Sequence, residues 1–168
     1  MTSKALLLHQ LDTAFDTKAW HGPTLKGVLR GVDVEMASWR PAADRHTIWE
    51  LMIHCAYWKY TVRRRILDEK RGAFPLDGSN WFVRPEKDAS WKDELNLLYE
   101  THRSLREAVE KLSSSKLDTI PEGSSHSFTE LIAGVAAHDL YHAGQIQLMK
   151  RLAAERRLAS YAGMKGLN

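Results

Sequence analysis

The sequence predicts an all-α fold, a four-helix bundle, on three observations. Apolar residues recur at alternating intervals of three and four over long stretches, which places them on single helical faces. The five prolines and ten glycines collect between those stretches. Val, Ile and Thr never alternate with polar residues over a useful length, so no strand pattern competes. With 168 residues, 43% of them hydrophobic and 27% charged, the composition is globular, and the length fits a single domain over residues 1–168. A chain of this size buries roughly 70% of its unfolded surface and needs no disulfide staple, in keeping with its one cysteine, Cys55.

The elements follow in order. A first helical stretch covers residues 3–18 and is broken at His21-Gly22-Pro23, and a second piece lies around Leu25–Arg30. Asp33–Ala43, closed by Arg40-Pro41, reads as a turn-rich connection. Thr47-Ile-Trp-Glu50 has capping-box spacing, in which hydroxyl and carboxylate each satisfy an orphan N–H. It opens a helix over 47–70 with apolar positions Ile48, Leu51, Met52, Cys55, Trp58, Val62 and Ile66. Residues 71–87, with Pro75, Gly78 and Pro85, form a loop carrying Trp81 and Phe82. A third long helix begins near Ser90, with its seam through Trp91, Leu95, Leu98, His102, Leu105, Val109 and Leu112. After a linker at 113–123, a second capping box, Ser127-Phe-Thr-Glu130, starts the last helix. Its predicted seam is Leu131, Val135, His138, His142, Gln145, Met149 and Leu152.

Histidines on these apolar seams carry the chemistry. His138 and His142 are four apart, so they stand about 6 Å apart along the helix axis and point the same way, an arrangement suited to one metal ion. Three imidazoles with an open fourth position are the usual layout of a catalytic rather than structural site. His54, on the inward face of another helix, is the best third candidate, because a lone imidazole among Leu51, Cys55 and Trp58 otherwise needs its own partner. His102 occupies its seam equally well, and periodicity leaves the choice open. A single histidine on an apolar face is more often a hydrogen-bonded core residue; the pair plus a third shifts the balance to a metal. His9, His21, His46 and His126 fall at helix ends or in linkers, where solvated or capping roles dominate. The comparison of His138-Asp-Leu-Tyr-His142 with the H-E-x-x-H protease signature is poor, since Asp139 is one methylene short and Glu155 is the one acidic side chain downstream. Asp139 is either a polar residue beside the seam or a catalytic acid/base or hydrogen-bond acceptor close to the metal. Gly134 and Gly144, inside the last helix, imply close packing there. Tyr57, Trp58 and Tyr141 flank the ligands, though aromatics at helical spacing are usually core.

Ile48-Trp-Glu-Leu-Met-Ile-His54, followed much later by His138-Asp-Leu-Tyr-His142-Ala-Gly-Gln145, resembles the DinB/YfiT-like superfamily of metalloenzymes. Trp20-His-Gly-Pro23, Arg40-Pro41 and Trp81 add to the likeness. The resemblance implies a four-helix bundle holding a divalent metal at His54, His138 and His142, which decides the tie against His102. It also implies thiol-dependent S-transferases and isomerases among the relatives, so the expected partner is a small molecule such as a low-molecular-weight thiol. Zinc or nickel is the expected metal. The expected function is a metal-dependent thiol S-transferase or hydrolase, with a non-catalytic metal-binding or stress-associated protein as the alternative. A homodimer is expected from base rates and from the resemblance.

The net charge of +3 is mixed in sign along the chain, and Arg63-Arg64-Arg65 and Arg156-Arg157 read as solvated helix faces rather than a nucleic-acid interface. No apolar run approaches the ~20 residues of a spanning helix, and Ala5–Leu8 is too short for a signal-peptide core. The expected location is therefore cytoplasmic.

Overall fold

The computed structural model describes residues 1–165, with side chains to residue 159. The elements are α1 (Ser3–Phe15), α2 (Leu25–Leu29), α3 (Val34–Ser38), α4 (Ile48–Ile66), α5 (Trp91–Lys111), a 3-10 turn at Ser114–Lys116 and α6 (Phe128–Lys165). No strand occurs among the described residues. The protein is all-α, as predicted, and α1, α4, α5 and α6 are the four helices of the bundle, packed α4 on α5 and α6 and α1 on α5 and α6.

The helix starts are set by side-chain chemistry. Thr2, Thr24, Asp33, Thr47 and Ser90 each accept a hydrogen bond from the backbone N–H three residues on. The capping box at Thr47 and Glu50 forms in full. The helix ends differ from expectation. The first ends at Phe15, where Asp16 and Thr17 donate their N–H groups back to Asp12 and the chain leaves helical geometry. The second long helix ends at Ile66, and Asp68 takes a left-handed conformation (φ 54°) that turns the chain so that Glu69 pairs with Arg63. The connection at 33–43 contains α3, which at five residues is too short to show a period and is carried by its Asp33 cap.

The face that α6 buries is also rotated from the predicted one. Ile132, Ala136, Asp139, Ala143 and Ile146 are buried along it, whereas Leu152 is exposed. Asp139 moves the seam: a carboxylate counts as a surface residue by polarity, but here it is fully buried because Lys59 of α4, equally buried, is its ion-pair partner. The pair ties α4 to α6 beside His138.

The long loop between α4 and α5 is held by a buried polar network. Arg84, 4% exposed, donates its backbone N–H to Glu50 and its Nε to Glu94, which also accepts from the Trp49 indole. Arg40 donates to Glu50 from the other side. Satisfied in this way, the charges hold the loop against α4 and α5, and so fix Asn80 and Trp81 against His54.

Candidate metal centre

α4 supplies His54, and α6 supplies His138 and His142. Their three Nε2 atoms face one another: His54 Nε2 and His142 Nε2 are each 3.0 Å from His138 Nε2. His54 Nδ1 donates to the Asn80 carbonyl at 2.7 Å, and His142 Nδ1 to Gln145 Oε1 at 2.7 Å. A carbonyl only accepts, so Nδ1 of His54 carries the proton and its Nε2 presents a lone pair; the same holds for His142. One proton on His138 Nε2 satisfies one neighbour and leaves the other lone pair opposed. Two ligands about 2.0–2.1 Å from one ion stand ~3 Å apart or slightly more, so these three residues fit a divalent metal.

Burial keeps the imidazoles in the ligand form. Desolvation, followed by the neighbouring His142 and His54, pushes His138 down to about 3. His54 is lowered to about 4, mainly by desolvation and against the Asn80 hydrogen bond. His142 is lowered for the same first reason. All three are neutral at pH 7.

Asn80 is the residue that spacing did not reveal. It sits at φ 63°, a left-handed conformation that Asn adopts more readily than most residues. From there its carbonyl orients His54 while its side-chain oxygen accepts from the Trp58 indole. Trp81 stacks on the His54 ring at 3.8 Å and 5°, with His46 stacked on its far side at 3.6 Å and 7°. His46, expected in a solvated or capping role, also backs the aromatic cover of the site. The signals were faint: an Asn-Trp pair in a loop, with no periodicity to flag it.

The structure brings His54, His138 and His142 together and leaves His102 elsewhere, stacked on Phe15 of α1 at 3.7 Å and 10°. Asp139 adjoins His138 in the chain but its carboxylate is engaged by Lys59. Burial raises that carboxyl, with the Lys59 ammonium pulling the other way. Cys55, His138 and Asp139 also lie close enough to share an ion, but the ammonium of Lys59 already supplies the cation there, and burial holds the Cys55 thiol well above its ordinary value. Among the described residues no fourth His, Cys or carboxylate joins the histidine triad. Instead, a cavity of about 500 Å³ between α4 and α6 opens on His54 and His138, walled by Trp58, Val62, Leu131 and Val135. Trp58 belongs to the cavity, Tyr57 packs on Phe74 and Phe82, and Tyr141 is exposed beside His142. The expectation of close packing at the glycines is corrected: a Cβ at Gly134 or Gly144 would meet nothing within 4 Å, and Gly134 instead lies on the cavity wall.

Of the arginine runs, Arg63 pairs with Glu69, and Arg157 with Asp33 and Glu35. No described helix is long and apolar enough to cross a membrane. The family model that matches the chain is that of the DinB superfamily, over residues 19–146, a span that includes all three histidines. No curated protein and no solved structure matches.

Proposed function

The chain belongs to the DinB superfamily, and on that premise we propose that His54, His138 and His142 hold one divalent ion, zinc or nickel, and that the protein is a metal-dependent enzyme acting on a small molecule. The observation that carries the reading is the convergence of three Nε2 atoms, two with their tautomer fixed from behind, on a point beside a cavity.

When bound, a divalent ion with a free coordination position supplies Lewis-acid activation of a nucleophile or a carbonyl at neutral pH. The chain's own residues do the rest. The Asn80 carbonyl and Gln145 hold the rings in register and keep the Nδ1 protons away from the site. Trp58, Val62, Leu131 and Val135 present an apolar wall that keeps water from the reacting end of a bound substrate. Asp139, held by Lys59, positions α6 and with it His138, rather than meeting substrate. The reaction class this supports is transfer to, or hydrolysis by, an activated nucleophile, with a thiol as the transfer substrate. The open side of the triad favours catalysis over a purely structural ion.

Elemental analysis of protein purified without chelator tests the site. Wild type and His102→Ala are expected near one divalent ion per chain, and His54→Ala, His138→Ala and His142→Ala near none. Equal metal content in all five proteins would overturn the assignment.

A further inference from the structure

The cavity beside the triad is longer than a metal-bound water or a small nucleophile requires, and its far end is charged. Along α4 its wall runs from His54 through Trp58 and Val62 to Arg65. The eleven helical steps from His54 to Arg65 rise about 16 Å. Opposite, α6 runs antiparallel from Glu130 past Gly134 to His138. The middle of the cavity is apolar; its distal end carries Arg65, Glu130 and His126.

Two of these polar groups are already in use. Glu130 accepts from the Ser127 N–H and hydroxyl at the start of α6 and faces His126 at 3.9 Å. Arg65 differs. It is half-buried, and among the described residues its guanidinium has no hydrogen-bond or ion-pair partner, whereas its neighbours Arg63 and Arg64 both bind Glu69. A partly desolvated, permanently charged fork without an acceptor is costly to keep and is suited to bidentate capture of an oxyanion. A second cavity of about 320 Å³ shares Trp58 and Arg65 with the first and is bordered by Arg64 and Arg71, with Asp77 the acidic residue on its wall. The positive charge at this junction exceeds the negative, and burial together with the two neighbouring arginines lowers the Arg65 pKa, as expected for a cation waiting for an anion.

We propose that Arg65 is the anion-recognising residue of this cavity, and that the substrate is an elongated molecule with an apolar middle and a carboxylate or phosphate at the end remote from the histidine triad. The proposal rests on the reading that the triad marks the reacting end. Gly134 serves the same substrate: with no side chain, and space for one, it leaves the apolar midsection of the cavity wide.

Calorimetric binding of 4-phenylbutyrate, 4-phenylbutyramide and 3-phenylpropyl phosphate to wild type, Arg65→Gln and Gly134→Leu, each with and without bound metal, tests this. A charge-assisted hydrogen-bond pair predicts that wild type prefers at least one of the anions over the neutral amide by about tenfold or more. The preferred anion tells carboxylate from phosphate. Arg65→Gln is expected to erase the preference while leaving metal content unchanged, and Gly134→Leu to weaken charged and neutral probes alike. Equal binding of amide and both anions by wild type overturns the proposal, as does a preference that survives in Arg65→Gln, or one that appears only in the metal-loaded protein, where the anion would be ligating the ion. Probes unaffected by Gly134→Leu are bound elsewhere and overturn it too. If wild type holds no metal yet keeps an Arg65-dependent preference, the metal reading fails and this one stands; normal metal content with no effect of Arg65→Gln is the reverse.

Discussion

Two histidine environments lie within the same bundle. In the first half of α4, His54 meets His138 and His142; between α1 and α5, His102 lies flat on Phe15. Both are buried, and both hold neutral imidazoles by the same desolvation, His102 down to about 2 and His138 to about 3. Burial and depressed basicity therefore do not distinguish a site from a core residue. What distinguishes them is where the second nitrogen points. In the triad, protein acceptors take the Nδ1 protons of His54 and His142 and aim the free Nε2 atoms at a common point next to a cavity. His138 and His102 both have a buried Nδ1 without a protein partner, but His138 Nε2 faces the two oriented rings, whereas His102 has an aromatic ring over its face and, among the described residues, no imidazole opposite it. One environment has ligand atoms converging where a metal ion would be held, and the other is packing.

Lys59 stands between the two. Its ammonium pairs with Asp139 next to His138 and lies 5.0 Å from the centre of the Phe15 ring that covers His102. It also adds to the depression of both histidines' pKa values. Removing one member of a fully buried pair strands the other, so Lys59→Met and Asp139→Leu are each expected to destabilise the metal-free protein by about 3–5 kcal/mol. The double variant should recover most of that loss. Denaturant titration of the three proteins reads it, and a double variant as unstable as the sum of the singles would show that the pair does not act as a unit.

The contrast sharpens in acid. The unfolded-state pKa of His102 is about 6.5 and its folded value about 2, so below pH 6.5 the unfolded chain takes up a proton that the folded protein refuses. Stability conferred by the neutral form is complete above pH 6.5 and falls with pH from there towards 2, at up to ~1.4 kcal/mol per unit. His102→Leu should flatten the acid limb of metal-free stability, by about 1.6 kcal/mol between pH 6.5 and 5, and should leave metal content at pH 7.5 unchanged. A loss of metal in this variant would dissolve the distinction between the two environments.

The architecture and the ligand helices were legible because they rest on local rules: capping boxes at Thr47 and Ser127, a three-four seam on α5, and two histidines four apart. His54 against His102 was not decidable from periodicity, since both occupy apolar faces; the family resemblance chose His54, and the structure brings His54 to the pair. Where the reading slipped, non-local charge was responsible. Asp139 displaced the α6 seam because its partner Lys59 is 80 residues away, and α4 read as apolar on that face despite Lys59 lying between Cys55 and Val62. Asn80 was invisible because its part in the site is played largely by a backbone carbonyl, which any residue possesses; what is particular to Asn is its tolerance of the left-handed conformation that aims it.

An effect on metal affinity rather than on stability is expected at the histidine whose support is a side chain. The acceptor for His54 is main chain and cannot be deleted by substitution, but the Gln145 oxygen that accepts from His142 Nδ1 can be. Without it, the His142 proton is free to move to Nε2, where it blocks coordination, and the ring is free to turn. Loss of such an outer acceptor costs about 10–100-fold in metal affinity, or ~1.4–2.7 kcal/mol. Gln145→Ala is therefore expected to bind Zn²⁺ that much more weakly in a chelator competition, with little change in metal-free stability because the side chain is only half-buried. Gln145→Glu, which keeps an acceptor at the same position and adds negative charge, should bind at least as tightly as wild type. If Gln145→Ala matches wild type, the tautomer of His142 is not set from behind, and the difference between the triad and His102 reduces to the convergence of the rings alone.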